Sequence, residues 1–193
     1  MITLEPARTA LLVMDLQNDI VRMFGDKAAV LLDRAAAVLA AARKAKLTVL
    51  YVVVGFRPGY PELSKHNASF AAVSRSGRFL LGTPGSEVAP VVQPQEGEVI
   101  VVKHRVSALA GTDLDMVLRA KGIDTLVLLG IATSGVVLST VRSGADADYA
   151  LVVVSDACAD ADDEVHRVLT EKVFVKQASV VSSAELIAAL ASE

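Results

Sequence analysis

Apolar runs and helical periodicity alternate along the chain. Runs at Thr9–Asp15, Leu47–Val54, Glu98–Lys103, Thr125–Leu129, Ala150–Ser155 and Ala178–Val181 predict six strands. Several are continuously apolar, as in LTVLYVVV and ALVVVS. Unbroken runs suit parallel strands covered on both faces, whereas a half-exposed strand alternates. Helical spacing fills the intervals, over about 28–45, 112–121, 135–147, 162–174 and 183–191. Thr112-Asp-Leu-Asp115 reads as a capping box, a hydroxyl with a carboxylate three residues on. Gly122 follows Lys121 as a helix C-cap. Strand–helix alternation implies an α/β fold, a three-layer α/β/α sandwich around a parallel sheet. The acidic stretch Asp156 to Glu164 reads as a strand exit and an acidic first helical turn, favourable to the helix dipole.

Residues 55–97 break this rhythm. They hold five of the six prolines and connect the second and third strands. A connection this long in a compact domain is usually functional. A lid or substrate loop is expected, with short helical pieces such as Lys65–Val73. With 193 residues, one domain over 1–193 is the simple expectation. The chain is 53% hydrophobic, with mean hydropathy +0.49, yet no run approaches the roughly 18 to 20 apolar residues of a membrane span. Net charge is −3 without a Lys/Arg cluster, which argues against nucleic acid. The N-terminal MITLEPARTALLVMD reads as a first strand and not as a signal peptide. A single cysteine, Cys158, forms no internal disulfide and fits a reducing cytoplasm.

Ligands of doubly wound sheets bind beyond the carboxyl ends of the strands. The polar residues expected there are Asp15, Gln17, Asn18 and Asp19; Lys103, His104, Arg105 and Ser107; Thr133 and Ser134; and Asp156 and Cys158. An aspartate and a lysine converging on one edge tune each other's proton affinity. By spacing alone, a structural salt bridge explains Asp15 and Lys103 as well.

Three stretches carry a resemblance. LLVMDLQND (11–19), VVKHRVSALAGTDLDMVL (101–118) and GIATSGVVLSTVRSGADADYALVVVSDACAD (130–160) resemble the isochorismatase-like hydrolase superfamily, which includes cysteine amidohydrolases and the isochorismatases. The resemblance implies a Rossmann-like, six-stranded parallel sheet in the order 3-2-1-4-5-6. It also implies catalytic roles for Asp15 and Lys103, the counterparts of two members of an Asp–Lys–Cys triad. The nucleophile is the seventh residue of a G-[IV]-x-T-x-x-C turn; that residue is Val136, which cannot attack a carbonyl. By the same resemblance, the backbone amides of Ala132 and Val136 form an oxyanion hole, and Ile131–Ala132 is a cis peptide. A backbone N–H is independent of its side chain, so such a hole survives the valine.

An acid, a lysine and an anion hole without a thiol resemble the isochorismatase arrangement, in which the aspartate protonates a vinyl ether and water completes hydrolysis. Asp15 is then the general acid and Lys103 its partner. The turn differs from true isochorismatases at Ala132-Thr133-Ser134, so their substrate does not carry over. Gln17, Phe56, Arg57, Tyr60, Ile131 and Thr133 are the expected substrate-binding residues, with Arg57 able to hold a carboxylate bidentately. Cys158 reads as a buried packing residue. Ser134, Ser139 and Thr140 have no evident histidine base. His66 lacks a partner at ligand spacing, so no metal and no cofactor is expected. His104 should point away from Lys103, and His166 reads as a surface residue. Composition and resemblance together point to a cytoplasmic homo-oligomer, dimer or tetramer, with a small-molecule substrate. Three functions remain: a cysteine-independent hydrolase; a catalytically silent homologue that binds a ligand or a protein; or another reaction of the same pocket, such as isomerisation or decarboxylation.

Overall fold

Side chains of a strand point alternately to its two faces, so a buried strand must satisfy two cores at once. Every residue of β1 (Thr9–Met14) is buried. Leu11 and Val13 enter one core; Ala10, Leu12 and Met14 enter the other. The structure, a computed structural model, describes residues 2–68, 70 and 72–191. Its other strands are β2 (Thr48–Val54), β3 (Val99–Lys103), β4 (Thr125–Ile131), β5 (Ala150–Ala159) and β6 (Ser179–Val181). They form one sheet in the order β3-β2-β1-β4-β5-β6, every pair parallel. The expected strand order and α/β/α layering are therefore present.

Helix α1 (Asn18–Met23) follows β1, and α2 (Asp26–Lys44) leads to β2. Leu31, Ala35, Val38, Leu39 and Ala42 of α2 repeat at helical spacing and cover the first core. Helix α3 (Val73–Ser76) lies in the long loop. Leu114 and Leu118 of α4 (Leu114–Ala120) and Val141 of α5 (Leu138–Asp146) cover the second core. The chain continues through α6 (Asp163–Val168) and ends in α7 (Ser183–Ala191), whose Leu186 and Leu190 join the first core.

Several boundaries differ from the sequence expectation, each for a local reason. Strand β5 does not stop at Ser155. Its register against β4 moves from Leu128 opposite Val153 to Gly130 opposite Cys158, a bulge that lets pairing resume through Ala159. Asp156 and Cys158 thus lie within the strand and not in an exit turn. The Asp156 carboxylate is satisfied by the amide and hydroxyl of Ser183. The helix expected over 162–174 is three pieces: α6, a π-helical turn Leu169–Val173 and a 3-10 turn Phe174–Lys176. The Thr112 box does not close. Its hydroxyl donates to the Ala108 carbonyl at 2.6 Å and accepts from the Leu114 amide at 3.3 Å, while Asp115 is held by Arg119 and Tyr149. Gly122 does cap α4, at φ +68° with its amide on the Arg119 carbonyl. Of the helical piece expected over Lys65–Val73, residues 69 and 71 lie outside the described residues, and the described helix there is α3.

The long loop is pinned at two points. Phe56 bridges Leu80, and Gln17 bridges Val88. Gln17 has no solvent exposure. Its amide nitrogen donates to the carbonyls of Val54 (2.9 Å) and Ser86 (2.8 Å), and its amide oxygen accepts from the Val54 N–H (2.9 Å). One side chain thereby ties the end of β2 to the far half of the loop.

Gly130 shows how closely the central strands meet at this edge. Its φ is +141°, and a Cβ built there would sit 2.0 Å from the Met14 carbonyl oxygen. Gly130→Ala is expected to destabilise the fold by about 3 kcal/mol or more, through overlap and backbone strain together. Urea denaturation reads it: a midpoint within error of the parent would refute the close approach. Gln17→Leu, which removes three side-chain bonds to backbone groups, two of them buried, should cost about 2 to 4 kcal/mol in the same assay.

Candidate active site

Asp15 is the first residue beyond β1 and sits at φ +55°, a left-handed turn that diverts the chain as the strand ends. Its amide still donates to the Val52 carbonyl at 2.8 Å. Lys103 is the last residue of β3, opposite Val54 of β2. Two strand spacings separate their backbones, roughly 10 Å. The lysine side chain closes that gap across the end of β2, and its Nζ lies 2.9 Å from Asp15 Oδ2. It also donates to the Arg105 carbonyl at 3.1 Å. Asp15 and Lys103 are 5% and 2% exposed, so the ion pair is shielded from bulk water. Burial raises the Asp15 carboxyl above the usual carboxylate range; Lys103 and the Val54 amide pull in the opposite direction and only partly offset it. Asp15 Oδ1 is buried and has no hydrogen-bond partner.

The turn after β4 approaches from the other side. Ile131–Ala132 is a cis peptide, as the resemblance implied. Residues Thr133–Val137 form a π-helical turn leading into α5, with Gly135 at φ −96°, ψ −107°, outside helical geometry. The Ala132 carbonyl accepts from the amides of Gly135 (3.1 Å) and Val137 (3.3 Å). The side chains of Ile131, Thr133 and Val136 are buried, Val136 in the second core.

Two residues anchoring this turn had escaped the sequence reading. The Ser134 amide donates to Asp160 Oδ2 at 2.6 Å, and the Thr133 hydroxyl lies 2.8 Å from His166 Nδ1. His166 is therefore half-buried against the turn and not a free surface residue, and burial lowers its proton affinity. Only the order of β4 and β5 in space brings residues 160–166 to residues 133–134. The one local hint was Asp160, two residues ahead of the helix cap Asp162.

The other expected binding residues engage partners in and around the loop after β2. Phe56 is fully buried and packs its ring near Tyr60, Phe70 and His104 at 5.8, 5.5 and 5.9 Å. Tyr60 donates its hydroxyl to the Arg78 carbonyl at 3.0 Å. Arg57 is exposed and paired with Glu62 at 2.5 Å, so its guanidinium already has a carboxylate. Gln17 spends both amide hydrogens on backbone carbonyls. His104 turns from Lys103 and bonds the Gly55 carbonyl at 2.6 Å. His66 is exposed. Among the described residues no group of three His, Cys, Asp or Glu side chains has a metal-holding arrangement. No helix among them is long and apolar enough to cross a membrane.

The edge thus joins a carboxyl whose proton affinity burial raises with a lysine side chain 2.9 Å away, an arrangement suited to moving a proton. Known proteins share this framework. The isochorismatase domain family matches residues 9–185. The isochorismatase family protein YwoC of Bacillus subtilis strain 168 is 34% identical over 167 residues, 86% of either chain. Ureidoacrylate amidohydrolase RutB of Methylobacterium radiotolerans is 35% identical over 188 residues, covering 86% of this chain and 73% of its own. A crystal structure of a cysteine hydrolase from Pseudomonas syringae pv. phaseolicola 1448A superposes with a TM-score of 0.92 at 27% identity, over 100% of this chain and 96% of that one. The shared sheet order and the extent of these matches agree: the chain belongs to the isochorismatase-like hydrolase family.

Proposed function

We propose that the protein hydrolyses a small substrate without a cysteine nucleophile, with Asp15 as general acid and base, Lys103 as its partner and the amides of Ala132 and Val136 as the oxyanion hole. The observation that carries this reading is Asp15 Oδ1, buried, unpartnered and part of a carboxyl that burial biases toward its protonated form. Val136 occupies the position of the family's cysteine and offers only methyl groups. Cys158 does not replace it. It is buried opposite Gly130, and burial pushes its thiol up to about 12, far from a thiolate at neutral pH.

A vinyl ether is the favoured substrate class. Asp15 gives its proton to the terminal alkene carbon, and positive charge develops on the ether carbon. Water adds there and returns a proton to Asp15. The hemiketal then breaks its C–O bond, releasing an alcohol and a ketone, which for an enolpyruvyl ether is pyruvate. Lys103 holds Asp15 in place and the turn amides receive negative charge on the substrate. We further propose, from composition and the family resemblance, a cytoplasmic homo-oligomer acting on a small molecule.

A second reading, a silent homologue that binds a ligand or a protein, draws on one observation. Asp15, Lys103 and Val136 are each at most 5% exposed, and the first two already satisfy each other at 2.9 Å.

The purified protein, with Asp15→Asn and Val136→Cys variants, should be run on isochorismate and on a panel of small amides. Pyruvate release by the parent, lowered about 100-fold or more by Asp15→Asn, is the expected result. No turnover by the parent, with amide cleavage only in Val136→Cys, would sink the hydrolase reading and leave the silent one. Where Asp15 acts as the acid, the protonated form is the active one. Its proton affinity is raised, so kcat/KM should persist above the ordinary carboxylate range and fall as pH rises through the shifted value; a profile flat across that range contradicts the assignment. A thiol reagent should leave native Cys158 unmodified and turnover unchanged, and react fully once the chain is unfolded in guanidinium.

A further inference from the structure

We propose that His166 is a positioning residue for the turn 131–137: through the Thr133 hydroxyl it holds the backbone donors of that turn in place beside Asp15. The inference rests on the reading of this turn as the donor-bearing part of the site.

The turn is not held by a regular helical ladder. Gly135 lies outside helical geometry, and the Ala132 carbonyl gathers two amides at once. Side chains from one neighbouring segment supply the missing support. Thr133 is fully buried, and its hydroxyl is 2.8 Å from His166 Nδ1. The next amide, Ser134, donates to Asp160 Oδ2 at 2.6 Å, and Asp160 is itself 7% exposed. Two consecutive residues of the turn are thus clamped from residues 160–166. The helix that carries the histidine is in turn held: α6 is capped by Asp162, whose carboxylate accepts from the amides of Glu164 and Val165, and the Thr170 hydroxyl donates to the His166 backbone carbonyl at 2.9 Å. A polar group locked by outer hydrogen bonds is the usual means of orienting a site's inner shell.

Neutral imidazole with its hydrogen on Nε2 accepts the Thr133 proton at Nδ1. Protonation converts Nδ1 to a donor and reverses that bond. The ring lines a cleft of about 380 Å³ with Arg34, Asp156, Arg167 and Glu171. Asp160 and Asp163 favour the charged ring, although Asp163 is paired with Lys27; burial outweighs them and keeps the ring neutral to lower pH than usual.

Hydrogen exchange of the peptide 132–138 tests the clamp and needs no turnover. It is compared in the parent, His166→Asn, which keeps an acceptor where Nδ1 lies, His166→Leu, and Thr133→Val, which removes the hydroxyl from the other side. The Leu and Val variants should exchange about tenfold faster there, with Asn within about threefold of the parent, as expected for loss or retention of one buried hydrogen bond. Corrected for the intrinsic pH dependence of exchange, the protection of this peptide should change in the parent as the pH falls through the histidine's titration and stay constant in the Asn variant. Equal exchange in all four proteins, or Asn as fast as Leu, would overturn the proposal. On a turned-over substrate, His166→Leu should lower kcat with KM little changed. A protein inactive on every substrate still gives the exchange result, so failure of the hydrolase reading is seen separately.

Discussion

The side chains of Asp15 and Lys103 meet at 2.9 Å across the end of β2, both withdrawn from solvent. Two ions moved out of water lose several kcal/mol each in hydration, and a single contact does not reliably restore it. An apolar pair of similar volume would serve the fold as well. Lys103 has one further polar partner, the Arg105 carbonyl, and the Asp15 carboxyl has no hydrogen-bond partner beyond the lysine among the described residues. One oxygen of Asp15 is left over. A fold that buries a charge pair and leaves an acceptor unfilled has chemistry, not stability, as the simplest reason for keeping it.

The rest of the molecule brings that pair together. Because β2 lies between β1 and β3, Asp15 and Lys103 must meet over the end of an intervening strand. The left-handed turn at Asp15 and the length of the lysine side chain make the meeting possible. Gly130 lets β4 approach Met14 closely enough for the next turn to border the same edge. Gln17 fastens the loop that covers it, with every amide hydrogen of its side chain engaged. Each of these residues lies within a few positions of a strand's carboxyl end, where the rigid sheet gives way to turns.

The turn after β4 is held differently. Irregular Gly135 interrupts a continuous helical ladder, and Asp160 and His166 hold the turn from the neighbouring segment. Such support from outside places backbone donors without depending on the side chain at Val136.

Periodicity and punctuation in the sequence were enough to locate the six strands, the helices covering them and the ends at which chemistry gathers. Alternating apolar positions such as Leu11 and Val13 against Leu12 and Met14 encode burial on two faces directly. The motif stretches around Asp15, Lys103 and Gly130 carried the family and with it the strand order. What they could not carry was distance between segments. The bulge that extends β5 to Ala159 depends on its partner β4, not on its own acidic residues. The saturation of Gln17 and of Arg57 arises from a loop folding back on itself. The contacts of Thr133 with His166 and of Ser134 with Asp160 join residues about thirty apart in the chain. Local sequence determines which backbone states and which faces are available; long-range packing decides which polar groups are already satisfied and which, like Asp15 Oδ1, remain without a partner.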